Sequence, residues 1–266
     1  MQNQKKCYQN VWILSGTADG PILADKLIEL EYVVFVSVIS YKAGNVYPVS
    51  NKLHIITRKL CNEEEIKEFI IANQIKYVID ATHPFALRIS ENLRKGCQEI
   101  GSPLFKYQRI SENKSNVEII SNFKDIKSKD LKNKNILLAI GSRALNEVAQ
   151  YYIDLGANVF ARIIATPESI SRGFSSCVKN YKLAILNPSE TITDNLESYL
   201  CKHWDIDLIL CRDSGGYSQK IWDQICLHSN IKLFLLKRPE LQEGIFVFSK
   251  YDDLIKKIIQ PKSKII

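Results

Sequence analysis

Short β-branched runs alternate with amphipathic stretches along most of this chain, and that alternation restricts its fold more than any other feature. Residues 11–15 form an apolar run closed by a Gly-Thr turn, and residues 21–30 carry apolar side chains at 22, 23, 27, 28 and 30, on one helical face. The pattern then predicts a strand at 33–39, a helix at 63–72 with acidic residues in its first turn, a strand at 76–80, an amphipathic stretch at 87–100 and a strand at 103–107. After a polar, lysine-rich stretch it restarts. Strands are expected at 136–140, 159–164, 182–186, 208–211 and 233–236, with helices ending at Gln150, beginning at Pro167, and spanning 190–202 and 218–227. Repeated β-then-α units call for parallel sheets with right-handed crossovers. The expectation is an α/β fold of two Rossmann-like domains, with mostly parallel sheets and an interdomain cleft.

The domain boundaries follow composition. Residues 1–110 read as a dinucleotide-binding domain, 111–134 as a connector and 135–240 as a substrate domain. Residues 241–266 supply a final strand and helix, and the sequence leaves their docking on the first domain open. With 266 residues, 45% of them hydrophobic, the chain can bury one large core or two modest ones, and two domains are favoured.

Composition also excludes several classes. No run approaches the roughly 18 apolar residues of a membrane span, and the first ten residues are polar, so the chain reads as soluble and cytoplasmic. Seven scattered cysteines never form a Cys-x-x-Cys pair, and no two of the four histidines are spaced to share a metal, so no metal site is expected. The net charge of +7 invites a polyanion. Yet the lysines are dispersed, and the densest cluster, 124–134, mixes five lysines with two aspartates. A small anionic ligand suits this balance without any nucleic acid. Oligomeric state leaves no trace in the sequence.

Three turns carry chemistry. Residues 80–86 read DATHPFA, a strand end that delivers Asp80, Thr82 and His83 to the crevice where open α/β sheets bind ligands. The competing interpretation is a capped helix start, with Thr82 or His83 bonding backbone amides and Pro84 at the first helical position. The first turn, Ser15-Gly16-Thr17-Ala18-Asp19-Gly20, lies where a dinucleotide fold has its phosphate loop but lacks the GxGxxG fingerprint. Helix N-terminal amides with the Thr17 hydroxyl would form an anion site there, and a mere tight β-to-α connection is the alternative. The second strand runs into Ser40-Tyr41-Lys42 with no acid for ribose hydroxyls, which favours NADPH over NADH. The late turn is Cys211-Arg212-Asp213-Ser214-Gly215-Gly216.

These segments together resemble the precorrin-6A reductase family, which includes the cobalt-precorrin-6A reductases. The resemblance rests on the strand-Gly-Thr segment at 11–17, Ser-Val-x-x-x-Tyr at 37–41, DATHPFA, Ala-Arg-Ile-Ile at 161–164, Asp-Ser-Gly-Gly at 213–216 and Lys-Arg-Pro at 237–239. DATHPFA is the most specific of them, and the match runs in order from about 11 to 239. The chain departs from the family pattern at Ser15-Gly16, where two glycines are usual, at Asp19, where a Glu is usual, and at Arg212-Asp213, where Lys-Asn is usual. The Arg212 substitution keeps the cation but presents a planar fork.

The resemblance implies an NAD(P)H-dependent enzyme of cobalamin biosynthesis that reduces one carbon-carbon double bond of a carboxylate-fringed tetrapyrrole, turning precorrin-6A into precorrin-6B. Gly16, Thr17 and Asp19 would then meet the cofactor phosphates, and Ser40, Tyr41 and Lys42 the ribose phosphate. Thr82, His83 and Pro84 would line the hydride site. Arg143, Arg162, Arg212 and Ser214 would hold substrate carboxylates, with Gly215 and Gly216 letting backbone amides approach. His83 is the candidate general acid, and water is the competing proton source. Two other readings remain open, a non-catalytic nucleotide-binding two-domain protein and a transferase using a sugar nucleotide or S-adenosylmethionine. Neither accounts for DATHPFA.

Overall fold

A computed structural model describes residues 9–110, 117–127, 131–187, 196–241 and 245–260. The chain divides into two compact units, residues 1–110 with 239–266, and residues 111–238.

The first unit is built on β1 (Asn10–Ser15), α1 (Asp19–Glu29), β2 (Val33–Val38), α2 (Tyr41–Gly44), β3 (Leu53–Thr57), α3 (Glu63–Ala72), β4 (Ile75–Ala81), α4 (Leu87–Ile100) and β5 (Leu104–Tyr107). The later β12 (Phe246–Phe248) and α9 (Tyr251–Ile259) complete it. Its sheet is parallel throughout, in the order β12-β5-β4-β1-β2-β3. The strand order reverses between β1 and β4, which makes the C-terminal ends of those two strands the switch point. Alternation along the strands feeds two cores. Val11, Ile13, Ile79, Phe105 and Tyr107 pack with Leu23 and Leu27 of α1 and Leu254 and Ile258 of α9. Trp12, Leu14, Val78 and Leu104 pack with Ile66 and Ile70 of α3 and Leu93 and Cys97 of α4.

The second unit comprises β6 (Val117–Ile120), β7 (Asn135–Ala139), α5 (Leu145–Asp154), β8 (Asn158–Ile163), α6 (Pro167–Phe174), β9 (Leu183–Ile185), α7 (Leu196–His203), β10 (Leu208–Arg212), α8 (Tyr217–Leu227) and β11 (Lys232–Leu236). Its strands, also all parallel, run β6-β11-β10-β7-β8-β9, with a switch point between β7 and β10.

Several expectations change. Residues 111–134 are not a connector where they are described: 117–120 form β6, which pairs with β11, and Ile126 and Leu131 are buried in the core. Residues 111–116 and 128–130 lie outside the described residues, as does the start of the helix expected at 190–202. Helix α1 begins at Asp19 rather than Pro21, because proline is tolerated in a first turn whose amides have no intrahelical partner. Strand β3 and the short α2 are not anticipated by the sequence pattern.

Candidate functional site

In the first unit the β1 and β4 turns meet at the switch point. A Cβ on exposed Gly16 would come within 3.9 Å of the His83 amide nitrogen and 4.0 Å of Thr82 Cα. Thr17 lies between the turns, its Oγ1 2.9 Å from Asp19 Oδ2 and 3.1 Å from the Ala81 carbonyl. Gly20 is required here, since any Cβ would overlap Ser15 Oγ and Tyr47 Oη. The loop can therefore come close to a ligand at Gly16 and Thr17 while the first turn of α1 stays packed.

Asp19 plays a different part from the one expected. It is buried, and its Oδ1 receives Arg109 Nε and Nη2, each at 2.9 Å, and the Tyr251 hydroxyl at 2.6 Å. A carboxylate held in this way is committed to tying β5 and α9 to the head of α1, and it is not a phosphate contact. Burial and the hydrogen bond to Asp19 push the Tyr251 phenol well above its ordinary value, so it remains a donor. No sequence rule would have found Arg109, because the pairing spans 90 residues.

The DATHPFA turn is not a capped helix start. Helix α4 begins at Leu87, and Ala86 at its N-cap provides no side-chain bond. Residues 83–86 instead form a separate turn closed by the Ala86 amide on the His83 carbonyl at 2.8 Å, and Pro84 is half-buried within it. His83 Nδ1 accepts the Phe85 amide at 3.2 Å. Beneath the turn, Asp80 and Lys106 form an ion pair at 2.7 Å, and each side chain is only 2% exposed. Lys106, which sequence reasoning missed, sits directly opposite Asp80 in the β4–β5 register. Only the strand pairing discloses that relation.

Ser40, Tyr41 and Lys42 form the exposed start of α2 at the end of β2, where Ser40 Oγ caps the Ala43 amide at 3.3 Å. No acid occupies this strand end.

In the second unit, Gly141 follows β7 with φ of 80° and lies against Arg212 at the end of β10. A Cβ on Gly141 would stand 3.3 Å from Arg212 Nη1, so the absence of a side chain makes room for the guanidinium. Burial first, and the like charge of exposed Arg143 as well, lower the Arg212 pKa. Two cations at one switch point suit an anion.

Two other expectations in this unit need correction. Arg162 is buried on β8, 3.5 Å from Glu197 Oε1 of α7, and so belongs to the core and not to a substrate surface. Burial lowers its pKa, and Glu197 partly offsets that effect. The Ser214 and Gly215 amides both donate to Gln219 Oε1 at 2.7 Å, and the Gly216 amide donates to Ser214 Oγ at 3.2 Å. The glycine turn thus closes on its own helix and leaves no amides for a ligand. Asp213 is clamped by Arg238, whose Nε lies 3.0 Å from its Oδ2, and this joins the ends of β10 and β11.

Residues 10–258 match the family model for Precorrin-6x reductase CbiJ/CobK. The chain belongs to this family. Among its relatives is a cobalt-precorrin-6A reductase of Methanocaldococcus jannaschii, 26% identical over 95% of this chain and 99% of that protein. A second, of Synechocystis and carrying the same name, is 25% identical over 88% and 90%. The solved structure of a CobK precorrin-6A reductase superposes with a TM-score of 0.73 at 16% identity, covering 94% of this chain and 96% of that one, and shows a shared fold.

The first unit fits a dinucleotide. Its switch point is open at Gly16, a helix of 11 residues starts directly behind it, and the one carboxylate in the loop is neutralised by Arg109.

Proposed function

We propose that this protein is the NADPH-dependent reductase that converts precorrin-6A, or its cobalt complex, to precorrin-6B in cobalamin biosynthesis. The observation that carries the reading is the family match across 10–258, which includes both switch points. A reduced nicotinamide, when bound, supplies the hydride for one carbon-carbon double bond of the macrocycle.

The chain's own residues orient the reactants and exclude water. Gly16 and Thr17, at the head of α1, hold the phosphates, while the Asp19 and Gly20 amides are turned back onto Thr17 and Pro21 has none to offer. Ser40, Tyr41 and Lys42 receive the 2′-phosphate, since the strand end bears a cation and hydroxyls and no acid. Thr82, His83 and Pro84 line the hydride site. His83 delivers the proton that accompanies the hydride. Its Nδ1 is engaged by the Phe85 amide, so Nε2 carries the proton in the neutral ring. Arg212 and Arg143 hold substrate carboxylates in the second unit, and Ser214 keeps a role there through its hydroxyl alone.

Anaerobic incubation with metal-free and with cobalt-loaded substrate, following NADPH and NADH absorbance separately, tests the reading. Oxidation of NADPH in preference to NADH, with either macrocycle, is expected. Stoichiometric dinucleotide binding without any oxidation would instead support a non-catalytic nucleotide-binding protein.

A further inference from the structure

We propose that Lys106 is a positioning residue. Its buried ammonium, acting through Asp80, fixes the conformation in which the 80–86 turn presents Thr82 and His83.

The argument starts from an oddity of burial. Asp80 and Lys106 project from β4 and β5 toward the apolar layer of α3 and α4, close enough to Cys97 that burial and the Asp80 charge push that thiol up to about 12. Removing two charges from water is costly, and an apolar pair could fill such a site. This pair is instead fully hydrogen-bonded. Lys106 Nζ donates to Asp80 Oδ2 at 2.7 Å, Ser90 Oγ at 3.0 Å and Thr82 Oγ1 at 3.4 Å, which uses all three ammonium protons. Asp80 Oδ1 accepts the Thr82 amide at 2.9 Å and hydroxyl at 2.6 Å, while its Oδ2 also accepts Ser90 Oγ at 2.6 Å.

The outcome is a closed cycle joining β4, β5, the first turn of α4 and the base of the turn. Asp80 and Lys106 are buried while Thr82 and Ser90 are half-buried, and Thr82 is the member that borders Gly16. Thr82 is held by backbone and side chain at once, so Thr82 and the adjacent His83 cannot shift without breaking bonds to a buried carboxylate. Hydrophobic packing would stabilise the strands equally well but would leave the turn free to rotate. The network's geometry therefore points to orientation as its purpose.

The inference rests on the reductase reading, and the test separates the two. Lys106→Met alone strands the Asp80 charge and is expected to fold poorly. The informative protein is the double variant Asp80→Asn/Lys106→Met, which removes both charges at similar volume and is expected to melt within about 5 °C of wild type. In it, kcat for macrocycle reduction should fall about 100-fold, the loss typical of a misplacement near 1 Å, while KM for the dinucleotide changes less than about 3-fold. Hydrogen exchange of the 82–86 amides should quicken at least about 10-fold, with strand amides of β4 and β5 unchanged. A double variant with wild-type kcat, or with unaltered exchange in the turn, overturns the proposal. If wild-type protein reduces no macrocycle, the function reading falls, and the exchange data alone decide whether Lys106 sets the turn.

Discussion

At His83, substitution separates the contact seen in the turn from the acid role proposed above. Its Nδ1 accepts the Phe85 amide, which shapes the turn, and the proton of the proposed acid would be the one on Nε2. His83→Asn keeps an acceptor for that amide and abolishes acid chemistry. Both His83→Asn and His83→Ala are therefore expected to lower kcat by about 100-fold, the usual scale of general acid catalysis. Recovery of activity in His83→Asn would assign the ring to turn geometry and the proton to water. Lys42 presents a simpler case, an exposed cation at the end of β2. Lys42→Glu should raise KM for NADPH about 10-fold or more and leave KM for NADH nearly unchanged, read by steady-state kinetics with each dinucleotide.

At the scale of the element, the β1 turn lacks GxGxxG, and its two glycines do separate work. Gly16 supplies the open approach, and Gly20 lets α1 start against Ser15 and Tyr47. Gly20→Ala should destabilise the protein by about 1–3 kcal/mol through overpacking and weaken dinucleotide binding, measured by denaturant unfolding and fluorescence titration. Elements dominated by β-branched residues, such as Val33–Val38, were legible from sequence because a strand largely buried on both faces needs little else. Strands β3 and β6 were not, since both lie at sheet edges and expose His54, Ile55, Glu118 and Ile119, which leaves no clean period to detect. The site divided in the same way. DATHPFA and the end of β10 were visible as unusual turns, whereas Asp80–Lys106, Asp19–Arg109 and Arg162–Glu197 depend on pairings between distant segments. An isolated arginine in a strand gives no sign of whether a glutamate in a later helix will claim it.

At the scale of the whole molecule, the first unit is discontinuous in sequence, and this shapes its stability. Strand β12 forms the sheet edge beside β5, and α9 buries Leu254, Ile255 and Ile258 against the strands. The Tyr251 hydroxyl reaches Asp19 across 232 residues, and its ring stacks on Tyr107 at 4.6 Å. The core under the β1 turn is therefore incomplete until the C-terminal segment arrives, and the ordering of α1's first turn depends on the same segment. Leu254→Ala should cost about 2–5 kcal/mol, as a large-to-small change at a fully buried site. The cavity left by that truncation would open inside the core of the first unit, among side chains of its own strands and of α1. Hydrogen exchange should consequently accelerate in β1, β4, β5 and α1 while β7, β8 and β10 keep wild-type rates, and dinucleotide affinity should fall with the loosening of α1. Equal acceleration in both units would mean that the chain opens as one cooperative body and that the terminal segment has no privileged hold on the β1 turn.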